Sequence, residues 1–477
     1  MNKNTTTEQS ACLVNRRDFI KLSGGAVALL ANSTSTKNVY AARQSRRPKP
    51  KNILLVFTDQ QHIDTITAGG CRHLQTPALD RLKTSGVSFT QSYSANPVCS
   101  PARSCVFTGR TSSETGVFTN GRSIRSDIPN VGQWFAQQTD YETFYAGKWH
   151  LPRTYTRDIP GFKVINTGIG GFGYLCDTAM SRSCEGFLRN RSKSKPFLLV
   201  ASFMQPHDIC EWLRLNMDKP EQLRYGELTR ELPELPVNFV YDKNEPKNIK
   251  QRRLGNEPFK GKWNKEHWRY YRWSYYRNIE HVDAEIGRIL QTLKDCGYVK
   301  DTLIVLTSDH GEGLAHHQMV RKNTLYDEAA KVPLLFSWPG HILEKRTDTT
   351  HLASGLDIMP TLCDYAEIKP PKNMRGRSLR SILEGKSGPA NNFIVTEVSS
   401  NTGRMVRTSS FKYIVYKDDS VEQFFDMRTD PGETKNLAES SRYALVLAEH
   451  RKMLADWESR LDVPPNVPNA DVWRRKG

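Results

Sequence analysis

Four short apolar runs set the tightest limit on what this chain can fold into: "NILLVFTD" (52–59), "FLLVASF" (197–203), "TLIVLTSD" (302–309) and "VPLLFSW" (332–338). None alternates apolar with polar residues, as a strand with one wet face does. Each is short, β-rich and almost continuously apolar, which reads as a strand buried on both faces. Several such strands imply a mostly parallel central sheet flanked by helices. One helix is legible in "IEHVDAEIGRILQTLKDCG", where Ile279, Val282, Ile286, Ile289 and Leu293 share a face and Gly297 supplies a stop. From about residue 386 the pattern changes. "NFIVTEV", "MVRTSSFKYIVYKDD" and "EQFFDMRTDPGE" read as short strands joined by turns, with a helix over roughly 441–461. The expected class is therefore α/β with a small C-terminal antiparallel sheet and one helix.

The polar residues closing the apolar runs carry the chemistry. Asp59 and Gln60 follow the first run, His207 lies just beyond the second, and Asp309 and His310 end the third. Open α/β sheets bind ligands off the carboxyl ends of their strands, so acid, amide and imidazole groups are expected along one edge. Residues 208–278 are rich in charge, tryptophan and tyrosine, as in "KGKWNKEHWRYYRWSYYR" (260–277). That stretch reads either as an insertion bearing a substrate surface or as a solvated helix anchored by its aromatics.

The formal charge is +17, which favours anionic partners. In "NRRDFIKLSGGAVALLANS", Arg16 and Arg17 precede Phe19, Lys21 and a weakly apolar stretch to Ala31. This resembles a twin-arginine export signal, with "VYA" at 39–41 as a cleavage site. The expectation is a periplasmic or secreted protein exported through the twin-arginine translocase. Acidic glycans then become better partners than nucleic acid. No run of about 18 apolar residues exists, so neither a spanning helix nor stable membrane association after cleavage is expected. The expected organisation is an export signal at 1–41, a linker at 42–50, a catalytic domain at 51–385 and a C-terminal α+β subdomain at 386–477. The cysteines show no paired zinc spacing and no scaffold pattern, although a disulfide such as Cys176 with Cys184 remains open.

One cysteine stands apart. "PVCSPARSCVFTG" (97–109) resembles the signature of the type I sulfatases, in which Cys-x-Pro-x-Arg directs oxidation of the cysteine to formylglycine (3-oxoalanine). Cys99, Pro101 and Arg103 fit it. "YETFYAGKWH" (141–150) resembles the family's second signature, with Gly147, Lys148 and His150 in place and Asp140 where a glycine is usual. "TDQQ" (58–61), "SDHGE" (308–312), "KNTLYDEAAKVP" (322–333) and the tail's "FDMRTDPGETKNLAE" match in order. The resemblance implies an alkaline phosphatase-like fold and hydrolysis of sulfate esters. A thiolate attacking sulfur has no ready way to release sulfate afterwards. An aldehyde hydrate has one hydroxyl to attack and a second to collapse and expel the product.

By that resemblance Asp59, Gln60, Asp309 and His310 hold a divalent cation together with modified Cys99. The cation is Ca²⁺ in the family, and Mg²⁺ is the other hard cation that suits oxygen donors. His310 is the soft member of the set. Asp309 activates the attacking hydroxyl, Arg103 steadies the ligands, and Lys148 and Lys322 clamp sulfate oxygens. His150 takes the proton that triggers release, and His207 protonates the leaving alcohol. Lys331 is an alternative to Lys322. His316, His317, Asp208 and Arg214 are further candidates for touching substrate.

The expected substrate is a sulfated glycan, and a formylglycine-generating enzyme is an implied partner. Two other functions fit parts of the sequence. One is a phosphonate or phosphodiester hydrolase using the same nucleophile; the other is a catalytically silent polyanion-binding protein.

Overall fold

The computed structural model describes residues 48–168, 172–216, 231–255 and 263–464. The export signal and most of the linker lie outside the described residues, as do parts of the 208–278 stretch. The strands are β1 (Asn52–Asp59), β2 (Gly86–Phe89), β3 (Ser92–Tyr93), β4 (Glu142–Gly147) and β5 (Lys163–Asn166). They continue as β6 (Phe197–Pro206), β7 (Thr302–Ser308), β8 (Leu334–Ser337), β9 (Arg346–Asp348) and β10 (Ala353–Ser354). Eight of these form the central sheet in the order β5-β4-β6-β1-β7-β8-β2-β9. Its centre is parallel, β1 lying between β6 and β7, whereas β8 runs antiparallel to both of its neighbours.

The absence of alternation has a direct cause. Ile53, Leu55 and Phe57 of β1 pack into one core layer with Val200, Val305 and Phe336. Leu54 and Val56 face the opposite layer, with Leu199, Leu306 and the helical residues Val282, Ile286 and Ile289. Both faces of the sheet are dry, so every position must be apolar. At the strand ends that requirement lapses, and there the polar residues begin.

The helix expected from Ile279 onward starts much earlier, spanning Lys265–Asp295, 31 residues. Asn264 caps it: its side chain accepts from the His267 N–H while the His267 ring accepts from the Asn264 N–H. Gly297, at φ +73°, ends it. Its tyrosine- and tryptophan-rich first half is a helix anchored by its aromatics, with Lys265 and Glu266 exposed. Trp263, Trp268, Tyr271, Tyr275 and Tyr276 are buried, packed with Ile209, Leu213, Leu314 and Val320. The four-stranded antiparallel sheet β11 (Phe393–Glu397), β12 (Gly403–Thr408), β13 (Phe411–Tyr416) and β14 (Gln423–Asp426) follows, then the helix Ala444–Glu458.

All eight cysteines among the described residues are free. Cys176 and Cys184 lie on one helix, Gly173–Asn190, separated by roughly 12 Å of helical rise. That exceeds the reach of a disulfide, so the suggested pairing is excluded.

The C-terminal sheet is fastened to the segment following Lys322 by a buried ion cluster. Lys412 Nζ on β13 lies 2.8 Å from Asp327 Oδ1 and 2.7 Å from Glu433 Oε1. Removing one member strands the others' charge, which typically costs about 3–5 kcal/mol. Lys412→Met is therefore expected to lower the urea midpoint of unfolding markedly; an unchanged midpoint would show that the cluster contributes nothing.

Candidate active site

The parallel register of β1 and β7 pairs Thr58 with Ser308, which brings the residues just beyond them together. The Gln60 N–H donates to Asp309 Oδ1 at 3.0 Å, as does the His310 N–H. Gln60 turns the chain at φ +70°, a left-handed conformation that costs free energy in a non-glycine residue. Cys99 begins the buried helix Cys99–Thr108, whose N-terminus points its thiol into this corner. Cys99 Sγ lies 3.3 Å from His310 Nε2, 3.8 Å from Asp59 Oδ1 and 3.0 Å from Lys322 Nζ.

Arg103, one helical turn on, is wholly buried. Its Nη2 donates to Asp59 Oδ2 at 3.0 Å and its Nε to Asp309 Oδ2 at 3.1 Å. Its Nη1 reaches the Lys148 carbonyl at 2.8 Å and Ser202 Oγ at 2.9 Å. Lys148 Nζ adds a 2.7 Å ion pair to Asp59 Oδ2. Thus β1, β4, β6 and β7 each deliver a group at or just beyond their carboxyl ends.

The charges are strongly interdependent. Burial alone would raise the Asp59 carboxyl, but Lys148, His207, Lys322 and Arg103 together hold it well below the usual range. Asp309 goes the other way, pushed up to about 7 by burial and by the Asp59 carboxylate. For the Cys99 thiol, burial and Asp59 oppose ionisation, yet Lys322 and Lys148 bring it well below its ordinary value. Burial, reinforced by Lys322 and Lys148, keeps half-buried His207 neutral. Burial also lowers His150, whose Nδ1 is buried with no hydrogen-bond partner among the described residues. The His150 carbonyl accepts from Ser100 Oγ at 2.6 Å, and its φ is +64°.

Four side chains here form a group able to hold a metal ion. One ligand atom from each of Asp59, Cys99, Asp309 and His310 lies within 4.8 Å of the other three, all in buried residues. Burial and the Asp59 carboxylate sharing the corner both push the Asp309 carboxyl up, and a cation between the two carboxylates would offset their repulsion. Gln60 stands beside this group. Its Oε1 accepts from Lys322 Nζ at 2.8 Å, and its Nε2 donates to Glu312 and, at 3.3 Å, to Cys210 Sγ.

Of the two candidate lysines, Lys322 reaches Cys99, whereas Lys331 pairs with Asp327 at 3.4 Å. Asp208 accepts from the N–H groups of Gly173 and Tyr174 and from Gln205, capping the helix Gly173–Asn190. Arg214 is exposed and pairs with Glu211. His316 contacts Asn238 and Glu328, and His317 stacks on Tyr326 with centroids 4.2 Å apart. Asp208, His316 and His317 thus have partners within the fold, whereas Arg214 lies on the surface.

Three supporting residues carried no recognised role in the sequence. Glu312 accepts from the Gln60 amide and from Tyr271 Oη. Tyr275 Oη donates to the Gln60 carbonyl at 2.6 Å and accepts from the His62 N–H at 2.8 Å. The aromatic helix therefore braces the strained turn after β1. Only the "SDHGE" context hinted at Glu312, and nothing in the tyrosine pattern singled out Tyr271 or Tyr275.

Residues 51–368 match the Sulfatase family, and residues 315–460 match the C-terminal region of N-sulphoglucosamine sulphohydrolase. A Delta 4,5-hexuronate-2-O-sulfatase of Bacteroides thetaiotaomicron is 30% identical over 459 residues, covering 88% of this chain and 90% of that protein. An N-acetylglucosamine-6-O-sulfatase of the same organism is 25% identical, covering 87% and 88%. Among solved structures, a 2-O GAG sulfatase superposes with a TM-score of 0.76 at 28% identity, covering 88% of this chain and 96% of the other. The chain belongs to the sulfatase family, of type I within the alkaline phosphatase-like superfamily, and is a sulfuric ester hydrolase.

Tyr275→Phe removes one hydroxyl and leaves the Gln60 carbonyl and the His62 N–H unpaired, at a cost of about 1–3 kcal/mol. Turnover of a sulfate ester is expected to fall by roughly tenfold or more as the turn relaxes. Unchanged kcat in a folded variant would show that the tyrosine supports the core alone.

Proposed function

We propose that this protein removes sulfate from a sulfated carbohydrate, using a formylglycine formed from Cys99 beside a divalent cation, Ca²⁺ by the nature of the donors. The observation that carries the reading is the convergence of Asp59, Asp309, His310 and Lys322 on the Cys99 side chain. Its sulfur marks the position that the oxygens of a hydrated aldehyde would take. That hydrate supplies an attacking hydroxyl together with a second hydroxyl through which sulfate can leave. Asp59, Asp309, His310, residue 99 and the Gln60 amide oxygen would hold that cation, which would supply positive charge beside the sulfate oxygens.

The chain's own groups do the rest. Asp309, grouped with residue 99 and held by the Arg103 guanidinium, accepts the proton of the attacking hydroxyl. Lys322, 3.0 Å from the Cys99 sulfur, and Lys148, paired with Asp59, hold sulfate oxygens as charge accumulates on them. Burial, together with the same lysines, holds His207 well below the usual imidazole range. A sulfate ester between them would offset part of that positive field, which favours a protonated His207 as donor to the departing sugar oxygen. His150 brings its unpartnered Nδ1 as a proton acceptor for the release step. Arg103 keeps both carboxylates in place throughout.

The sugar preference is supported by the named activities of the two Bacteroides relatives and by the basic surface of this chain. Export by the twin-arginine route to the periplasm or beyond rests on Arg16, Arg17 and the stretch after them. A formylglycine-generating enzyme is the partner this mechanism requires. The division into a catalytic domain at 51–385 and a subdomain at 386–477 belongs to the same proposal.

Mass spectrometry of the Cys99 peptide, from protein made beside the native maturation system, is expected to show an aldehyde in place of the thiol. Cys99→Ala and Asp309→Asn should abolish sulfate release while leaving the fold intact, and Lys322→Ala should lower kcat by about 10²–10³. Full activity with an unmodified thiol would refute the nucleophile, and faster turnover of phosphodiesters than of sulfate esters would refute the substrate.

A further inference from the structure

A second cavity, of about 270 Å³, lies at the seam between the catalytic core and the C-terminal sheet. None of the candidate active-site residues lines it. It is walled by Asp357, Arg375 and Arg377 from one side and by Asn392, Trp457 and Arg460 from the other. Pockets that enclose drug-sized ligands run to about 300–1,000 Å³, so this one suits a single sugar ring.

Its polar groups are unequally committed. Arg375 is held by Glu114, with its Nε 2.9 Å from Glu114 Oε1. Asp357 is filled from below, accepting the Arg377 N–H at 2.7 Å, the Ser354 N–H at 2.8 Å and Asn391 Nδ2 at 2.9 Å. The exposed guanidinium groups of Arg377 and Arg460 are different. Among the described residues neither pairs with a carboxylate, and Arg460 donates only its Nε, to the Asp456 carbonyl at 2.9 Å. The Trp457 indole N–H and the Asn392 side chain likewise have no hydrogen-bond partner among the described residues. An indole for a ring face, an amide for hydroxyls and two exposed guanidiniums for an acid group, Arg460 and an Arg377 whose charge also acts on buried Asp357, are the components of a site for an anionic sugar.

We propose that this cleft binds an acidic sugar unit, sulfated or carboxylated, of the glycan whose sulfate is removed at the distant active site. The choice of ligand rests on the sulfated-carbohydrate reading above, whereas the cleft and its free cations do not. The site anchors a polymeric substrate without touching the reacting ester. It should therefore affect long substrates and spare small ones.

The test uses the full chain as Cys99→Ala, which cannot turn substrate over, titrated calorimetrically with a heparin-derived tetrasaccharide. Arg377→Ala with Arg460→Ala is compared with a charge-matched control, Lys265→Ala with Lys294→Ala, at exposed positions elsewhere. Loss of one binding event, or about tenfold weaker binding, in the arginine pair but not the control supports the cleft. An unchanged titration, or an equal loss in the control, overturns it. In the matured enzyme carrying the arginine pair, kcat/KM on 4-nitrophenyl sulfate should match the parent while KM for a sulfated polysaccharide rises. If cleft binding persists but the matured parent releases no sulfate from any sugar, the functional reading fails and the cleft stands.

Discussion

A single buried guanidinium holds this site together. Arg103 spans Asp59 and Asp309, carboxylates contributed by neighbouring parallel strands, and also bonds the main chain at Lys148 and the hydroxyl of Ser202. Two buried carboxylates so close together repel, and water is not there to screen them. The planar fork of arginine can engage both at once while using its remaining donors, which a lysine cannot do. Without it, the corner that receives Cys99 would open or gain protons. Burial and that enforced proximity push the Asp309 carboxyl up, whereas the Cys99 thiol is brought down, against burial and Asp59, by Lys322 and Lys148.

Two further bodies of structure serve the same corner from a distance. The aromatic helix Lys265–Asp295 reaches in with Tyr271 and Tyr275, fixing Glu312 and the left-handed turn at Gln60. The C-terminal sheet works on the other side. Through Lys412 and Glu433 it anchors Asp327, five residues beyond Lys322, and Gln423 Nε2 bonds Tyr326 Oη at 2.9 Å. A small sheet with no group at the reacting centre thereby sets where the Lys322 ammonium can stand.

The sequence revealed those parts of this arrangement that depend on residue type and period. Non-alternating runs such as 52–59 announced a doubly covered sheet because burial on both faces leaves no position for a polar side chain. The strand-end acids were visible because they interrupt that rule abruptly. Cys99, Arg103, Lys148 and Lys322 were legible through ordered motifs. What stayed hidden depends on long-range contact. The tyrosines of 260–277 look alike in composition, and only the fold shows that two of their hydroxyls reach the site. Asp208 resembled a substrate contact from its place beside His207, but the helix start it caps comes from residues some 35 positions earlier. The positive φ angles at Gln60 and His150 left no trace, since neither residue is a glycine.

An experimental structure of the matured enzyme, determined with calcium present at a resolution that separates oxygen from sulfur, puts the whole arrangement at risk. The expected result is one cation bonded to oxygens of both Asp59 and Asp309, with residue 99 bearing oxygen in place of its thiol and Lys322 beside it. A fully active enzyme showing an intact Cys99 thiol and no cation between those carboxylates would contradict it.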